Sequence, residues 1–151
     1  MDLSNKTVCI VDNGLFVSFA RKVAPAFKKC YYYKPFVSAF VRTSDISVGL
    51  GFPELEVCLQ PLEIADEIDL WVFLDLYHSG LQLFLEGHGA RVWGPRKGDE
   101  LELERWAFKK HIKRSGLPVQ PIEHLIGLDE LEKFLKGVKN KYVKTSFVLV
   151  F

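Results

Sequence analysis

No apolar run in this sequence reaches the ~18 residues a bilayer-spanning helix needs. The opening Met1-Asp2-Leu3-Ser4-Asn5-Lys6 has no basic region followed by an apolar core, so it does not read as a secretory leader. Charge of one sign is also missing. Twenty Lys and Arg stand against 19 Asp and Glu, a net of +1, and no broad field favours nucleic acid or an anionic membrane. Cysteine is scarce and odd in number. Cys9, Cys30 and Cys58 all lie in apolar segments, as buried reduced thiols of a cytoplasmic protein would. Glycine is thin where a dinucleotide fold needs it: the first strand-to-helix turn has Gly14 alone, not the three glycines of a pyrophosphate cradle. Gly49-Leu50-Gly51 is too short and isolated to replace it, and there is no Gly-Lys-Ser/Thr element. No serine sits in a nucleophile-elbow context. His78, His88, His111 and His124 have no partner at metal-ligand spacing and read as surface or partly buried polar residues.

What is present is a series of short apolar runs separated by helical spacing. Of 151 residues 48% are hydrophobic, enough for one globular domain or one domain with an appendage. Thr7–Val11 is a continuous β-branched run of buried-strand type, and Asp12-Asn13-Gly14 is a turn signal. Leu15–Val23 has helical spacing and meets Pro25. Cys30–Tyr33 and Leu55–Leu59 read as strands, Pro61–Ile68 as a short helix, and Leu70–Leu74 as a central strand. Tyr31-Tyr32-Tyr33 reads as strand packing, and the acids Glu63, Asp66, Glu67 and Asp69 as a solvated face. Leu76–Glu86 reads as a helix stopped by Gly87 and Gly89, and Ala90–Trp93 as the next strand. Residues 36–53 read as loop with at most one short strand. Strands alternating with helices predict a mostly parallel sheet covered on both faces over residues 1–94.

Residues 95–151 read differently. Asp99–Ser115 has the spacing of one long helix, with Leu101, Phe108 and Ile112 on one side and Leu103, Trp106 and Ala107 on the other. Two apolar sides suit a helix that bridges two bodies. Val119–Ile122 is a strand candidate, Leu128 to Val138 carries another amphipathic helix, and Lys141–Phe151 reads as a strand. Arg105 lies about 40° from Leu101 on the helical wheel, on the side of Phe108 and Ile112. A guanidinium there either pairs with a carboxylate or awaits an anion. Lys144 alternates with Val143 in a segment otherwise apolar; a lone strand lysine is usually solvated.

Four motifs give these two cations a common setting. Val92-Trp93-Gly94-Pro95, Leu101-Glu102-Leu103-Glu104-Arg105, Gly116-Leu117-Pro118-Val119 and Tyr142-Val143-Lys144 occur in this order. The set resembles the entry into the ATP-grasp ligases, well over residues 55–146 and loosely over 5–35. The resemblance implies an α/β fold: a Rossmann-like, mostly parallel, three-layer pre-ATP-grasp domain (1–94), then a small incomplete α+β lobe (95–151) that opens the ATP-grasp N-terminal lobe. It further implies ATP and magnesium as cofactors, a small-molecule carboxylate activated as an acyl phosphate, and an amine or similar nucleophile. Arg105 and Lys144 would contact the nucleotide. The family usually has lysine at the Arg105 position.

The resemblance stops after Ser146. A glycine-rich lid should follow; Phe147-Val148-Leu149-Val150-Phe151 stands there instead, and no magnesium ligand can be assigned. The expectation is an N-terminal, truncated fragment of such a ligase, not catalytically complete by itself, with its apolar end covered by a second copy or a partner chain. The alternative is a non-catalytic α/β module that binds a small molecule or a protein.

Overall fold

The computed structural model describes residues 2–35 and 48–145. The chain divides into two compact units, residues 1–99 and 100–151.

The first unit is built on five parallel strands: β1 (Thr7–Val11), β2 (Lys29–Tyr33), β3 (Glu56–Val57), β4 (Leu70–Phe73) and β5 (Val92–Trp93). Their spatial order is β3-β2-β1-β4-β5, so β1 lies between β2 and β4. Register pairs Val11 with both Tyr33 and Phe73. Both sheet faces are buried, which is why the central strands read as unbroken apolar runs rather than alternating ones. On one face Val8, Ile10, Cys30, Tyr32 and Val72 pack with Ala20 of helix α1 (Val17–Val23) and with Ala24 beyond it. On the other Cys9, Val11, Tyr31, Trp71 and Phe73 pack with Leu85 of helix α2 (Ser79–Gly87). This is the expected three-layer α/β arrangement, with a sheet that is parallel throughout where a mostly parallel one was expected.

Several boundaries differ from expectation. Pro25 lies in a 3₁₀ turn, Ala24–Ala26, that follows α1 directly. Pro61 opens a 3₁₀ rather than an α segment, Pro61–Glu67. Helix α2 starts three residues late. Asp75 Oδ1 accepts the Leu76 N–H at 2.8 Å and Tyr77 takes φ 75°, a combination that holds residues 75–78 in a turn. Residues 36–47 lie outside the described residues, and 48–53 form turns without a strand. Gly49 has φ 97°, and a Cβ there would lie 2.7 Å from Tyr32 Cδ1. Its place in the sequence is explained by that close approach to the core, not by a phosphate.

The expected single helix Asp99–Ser115, which starts at the last residue of the first unit, is broken. A 3₁₀ turn covers Arg96–Asp99, α3 spans Glu100–Leu103, and α4 spans Arg105–Arg114. Glu104 separates the two helices with φ −92° and ψ 63°, outside the helical region. Helix α5 covers Leu128–Leu135. Val119–Ile122 pairs with no strand and is not β-structure, and residues 141–145 have no regular structure. Phe147–Phe151, the expected sticky end, lie outside the described residues, as does any chain that would cover them.

Candidate functional site

In doubly wound sheets, ligands bind at the carboxyl ends of the strands where the order of connection reverses. Here that point lies between β1 and β4. The residue after β1, Asp12, is fully buried. Its Oδ2 accepts the Tyr32 hydroxyl at 2.5 Å and the Phe16 N–H at 2.9 Å. The carboxylate is therefore held from two sides, while Oδ1 is buried with no hydrogen-bond partner among the described residues. Burial, reinforced by the bond to Asp12, raises the Tyr32 phenol well above its ordinary value.

Asn13 points the other way, as strand alternation requires. Its Nδ2 donates to Asp75 Oδ2 at 2.7 Å across the β1–β4 crevice, and its Oδ1 lies 3.3 Å from His78 Nε2. The His78 backbone N–H donates to buried Asp99 at 3.2 Å. Burial lowers the His78 imidazole, opposed by Asp75, Asp99 and Asp12; burial raises Asp99, opposed by the N–H groups of His78, Ser79 and Tyr77. The crevice thus has acids from three segments and a histidine biased toward its neutral form.

At the end of β2 stands Lys34, 6% exposed. Its Nζ is buried and has no hydrogen-bond partner among the described residues. Lys34 and Asp12 each follow strand residues that are register partners, Tyr33 and Val11. Continuing the two-residue alternation puts Lys34 on the face of Cys30 and Tyr32, the face to which Asp12 turns.

Beyond β5 the Gly94-Pro95-Arg96 segment is a brace. Arg96 has φ 54°. Its N–H donates to Gln82 Oε1 at 2.9 Å, and its guanidinium donates to Glu86 Oε1 at 2.7 Å, to the Gly94 carbonyl at 2.9 Å and to the Val92 carbonyl at 2.8 Å. These bonds tie β5 to α2. A Cβ on Gly94 would lie 2.9 Å from Phe73 Cβ.

Arg105 and Lys144 both lie in the second unit. Both are exposed, and neither forms a hydrogen bond or ion pair among the described residues. Arg105 is the first residue of α4, immediately after the Glu104 break. Lys144 is in an irregular segment, not the expected strand. Each is thus available to an anion. Trp106 stacks on His124 with ring centroids 5.0 Å apart, and Lys110 lies over the Trp106 ring.

Among the described residues no group of three or more His, Cys, Asp or Glu side chains could hold a metal ion, so no magnesium ligand is assigned. Sequence reasoning missed Lys34, Asp75 and Asp99. For Lys34 and Asp75 the usable signal was position: each lies just past the end of a buried strand, where a charged residue has no packing reason to be; Asp99 ends a 3₁₀ turn and carried no such signal.

No family model matches the chain, and no curated protein matches it. Among solved structures it is similar to N5-carboxyaminoimidazole ribonucleotide synthetase from Thermus thermophilus, at 21% identity and a TM-score of 0.59. The match covers 87% of this chain and 36% of that enzyme, so this chain spans about a third of its length. At that identity the likeness shows a shared fold: a five-stranded, all-parallel, Rossmann-like α/β sheet.

Proposed function

We propose that this chain is the N-terminal part of an ATP-dependent ligase of ATP-grasp type. One observation carries the reading. The fold likeness to a ligase runs over 87% of the chain and so extends past the α/β unit into the second unit. In this reading the first unit holds a small-molecule substrate at the carboxyl edge of its sheet. The second begins the nucleotide lobe. Arg105 and Lys144 bind the nucleotide because both are exposed cations with no partner among the described residues, and arginine can meet phosphate oxygens with two parallel N–H bonds. Bound ATP would supply the phosphoryl group that activates a carboxylate for attack by an amine. Magnesium would offset phosphate charge, but the described residues fit no metal site and no step is routed through it. No helix among the described residues is long and apolar enough to cross a membrane, and a cytoplasmic location belongs to the same reading.

The test is calorimetric titration of the protein with a non-hydrolysable ATP analogue and magnesium. Arg105→Ala and Lys144→Ala should each weaken binding by about 10- to 100-fold, the usual effect of losing a charged hydrogen bond. Both side chains are exposed, so their melting temperatures should stay near that of the parent. Absence of binding, or binding indifferent to both substitutions, would reject the nucleotide role and favour a non-catalytic binding module.

A further inference from the structure

The first strand-to-helix turn is where a doubly wound fold ordinarily offers backbone N–H groups to a phosphate. Here the Phe16 N–H is already taken by the Asp12 carboxylate. The turn has one glycine, and Leu15 and Phe16 leave it with exposed bulky side chains. A phosphate placed there would meet a buried carboxylate, so the turn is not built to bind one.

Beside it are two buried polar atoms of opposite character with no hydrogen-bond partner among the described residues. Asp12 Oδ1 is an acceptor, held in orientation because Oδ2 is fixed by Tyr32 and Phe16. Lys34 Nζ is a donor and a cation. They sit on adjacent strands, one residue beyond a register pair, on the same sheet face, and are not bonded to each other. An ammonium or carboxylate buried without a partner is strongly unfavourable, so each requires a group of opposite character. Neighbouring parallel strands stand about 4.8 Å apart, a spacing that long side chains can span.

We infer that this edge binds a small zwitterion of α-amino-acid type, with its ammonium on Asp12 Oδ1 and its carboxylate on Lys34 Nζ. The ligand satisfies both atoms at once, which neither a phosphate nor a simple amine does. The inference rests on the ligase reading only for making the amino acid a reactant; binding itself does not depend on it.

The experiment is a thermal-shift and calorimetric screen without nucleotide, using the twenty α-amino acids. For any that bind, the matched decarboxylated amine and the matched deaminated acid follow. The expected result is a rise in melting temperature with one or a few amino acids and none with either half-molecule. Lys34→Met and Asp12→Asn should each weaken that binding by about 10- to 100-fold. Without ligand, Lys34→Met should melt about 2–4 °C above the parent, because it replaces an unpartnered buried cation with an apolar side chain of similar length. No binding by any amino acid overturns the inference. So does equal binding of a half-molecule, binding unchanged in Lys34→Met, or a Lys34→Met protein less stable than the parent, since that last result means Lys34 already has a structural counter-charge. ATP-analogue binding is measured separately, so the two readings fail independently.

Discussion

A single buried residue here can determine both where chemistry is possible and how stability responds to pH. Burial raises the Cys9 thiol well above its ordinary 9.0 and the Cys30 thiol to about 12, and also raises the Tyr32 phenol. All three keep their protons in the folded protein at pH values where the unfolded chain releases them. The sign follows: their contribution is intact below about pH 9, where unfolded Cys and Tyr are still protonated, and is lost progressively as pH rises from there toward the folded values, about 12 for Cys30. Thermal melts followed by circular dichroism should therefore show a falling midpoint between about pH 8.5 and pH 10.5. A flat profile across that range would mean these groups are reached by water in the native state. Asp12 was visible in the sequence as a turn residue, and Lys34 was passed over. Their lack of partners was not visible, because it depends on which strand lies beside which.

Elements were legible to the extent that burial imposed a pattern. β1 was read to its residues and β2 and β4 to within one, since a strand buried on both faces must be apolar throughout. The 3.6-residue period of residues 99–115 does not register a one-residue break, so Glu104 was missed. Val119–Ile122 failed for another reason: a strand exists only through a bonded neighbour, and this segment has none. The Gly94 turn shows an element fixed by close approach. Gly94→Ala puts a methyl against Phe73 and Gln82, beneath the Arg96 brace. It should cost about 1–3 kcal/mol, read as a lower urea midpoint with an unchanged slope. A neutral result would require β5 to shift away from α2 at no cost.

For the whole molecule, stability is expected to be uneven. The central strands β1 and β4 are buried on both faces by the two apolar clusters, whereas residues 117–127 have no regular structure and Tyr142 is 99% exposed. Hydrogen exchange read by mass spectrometry should leave β1 and β4 peptides protected longest and exchange residues 117–127 within the earliest time points. Comparable protection in the two would show that the second unit has a core of its own strength. The order of the motifs from Val92 to Lys144 already pointed to a fold shared with a ligase. Apolar runs, turn residues and their alternation were sufficient to determine a parallel α/β sheet, because hydrophobic burial is written locally along a chain. The tertiary structure alone decided that β1 lies between β2 and β4. That order puts Asp12 beside Lys34 and Asn13 across from Asp75, because strand order and register join residues more than twenty positions apart, and no local pattern encodes such pairings.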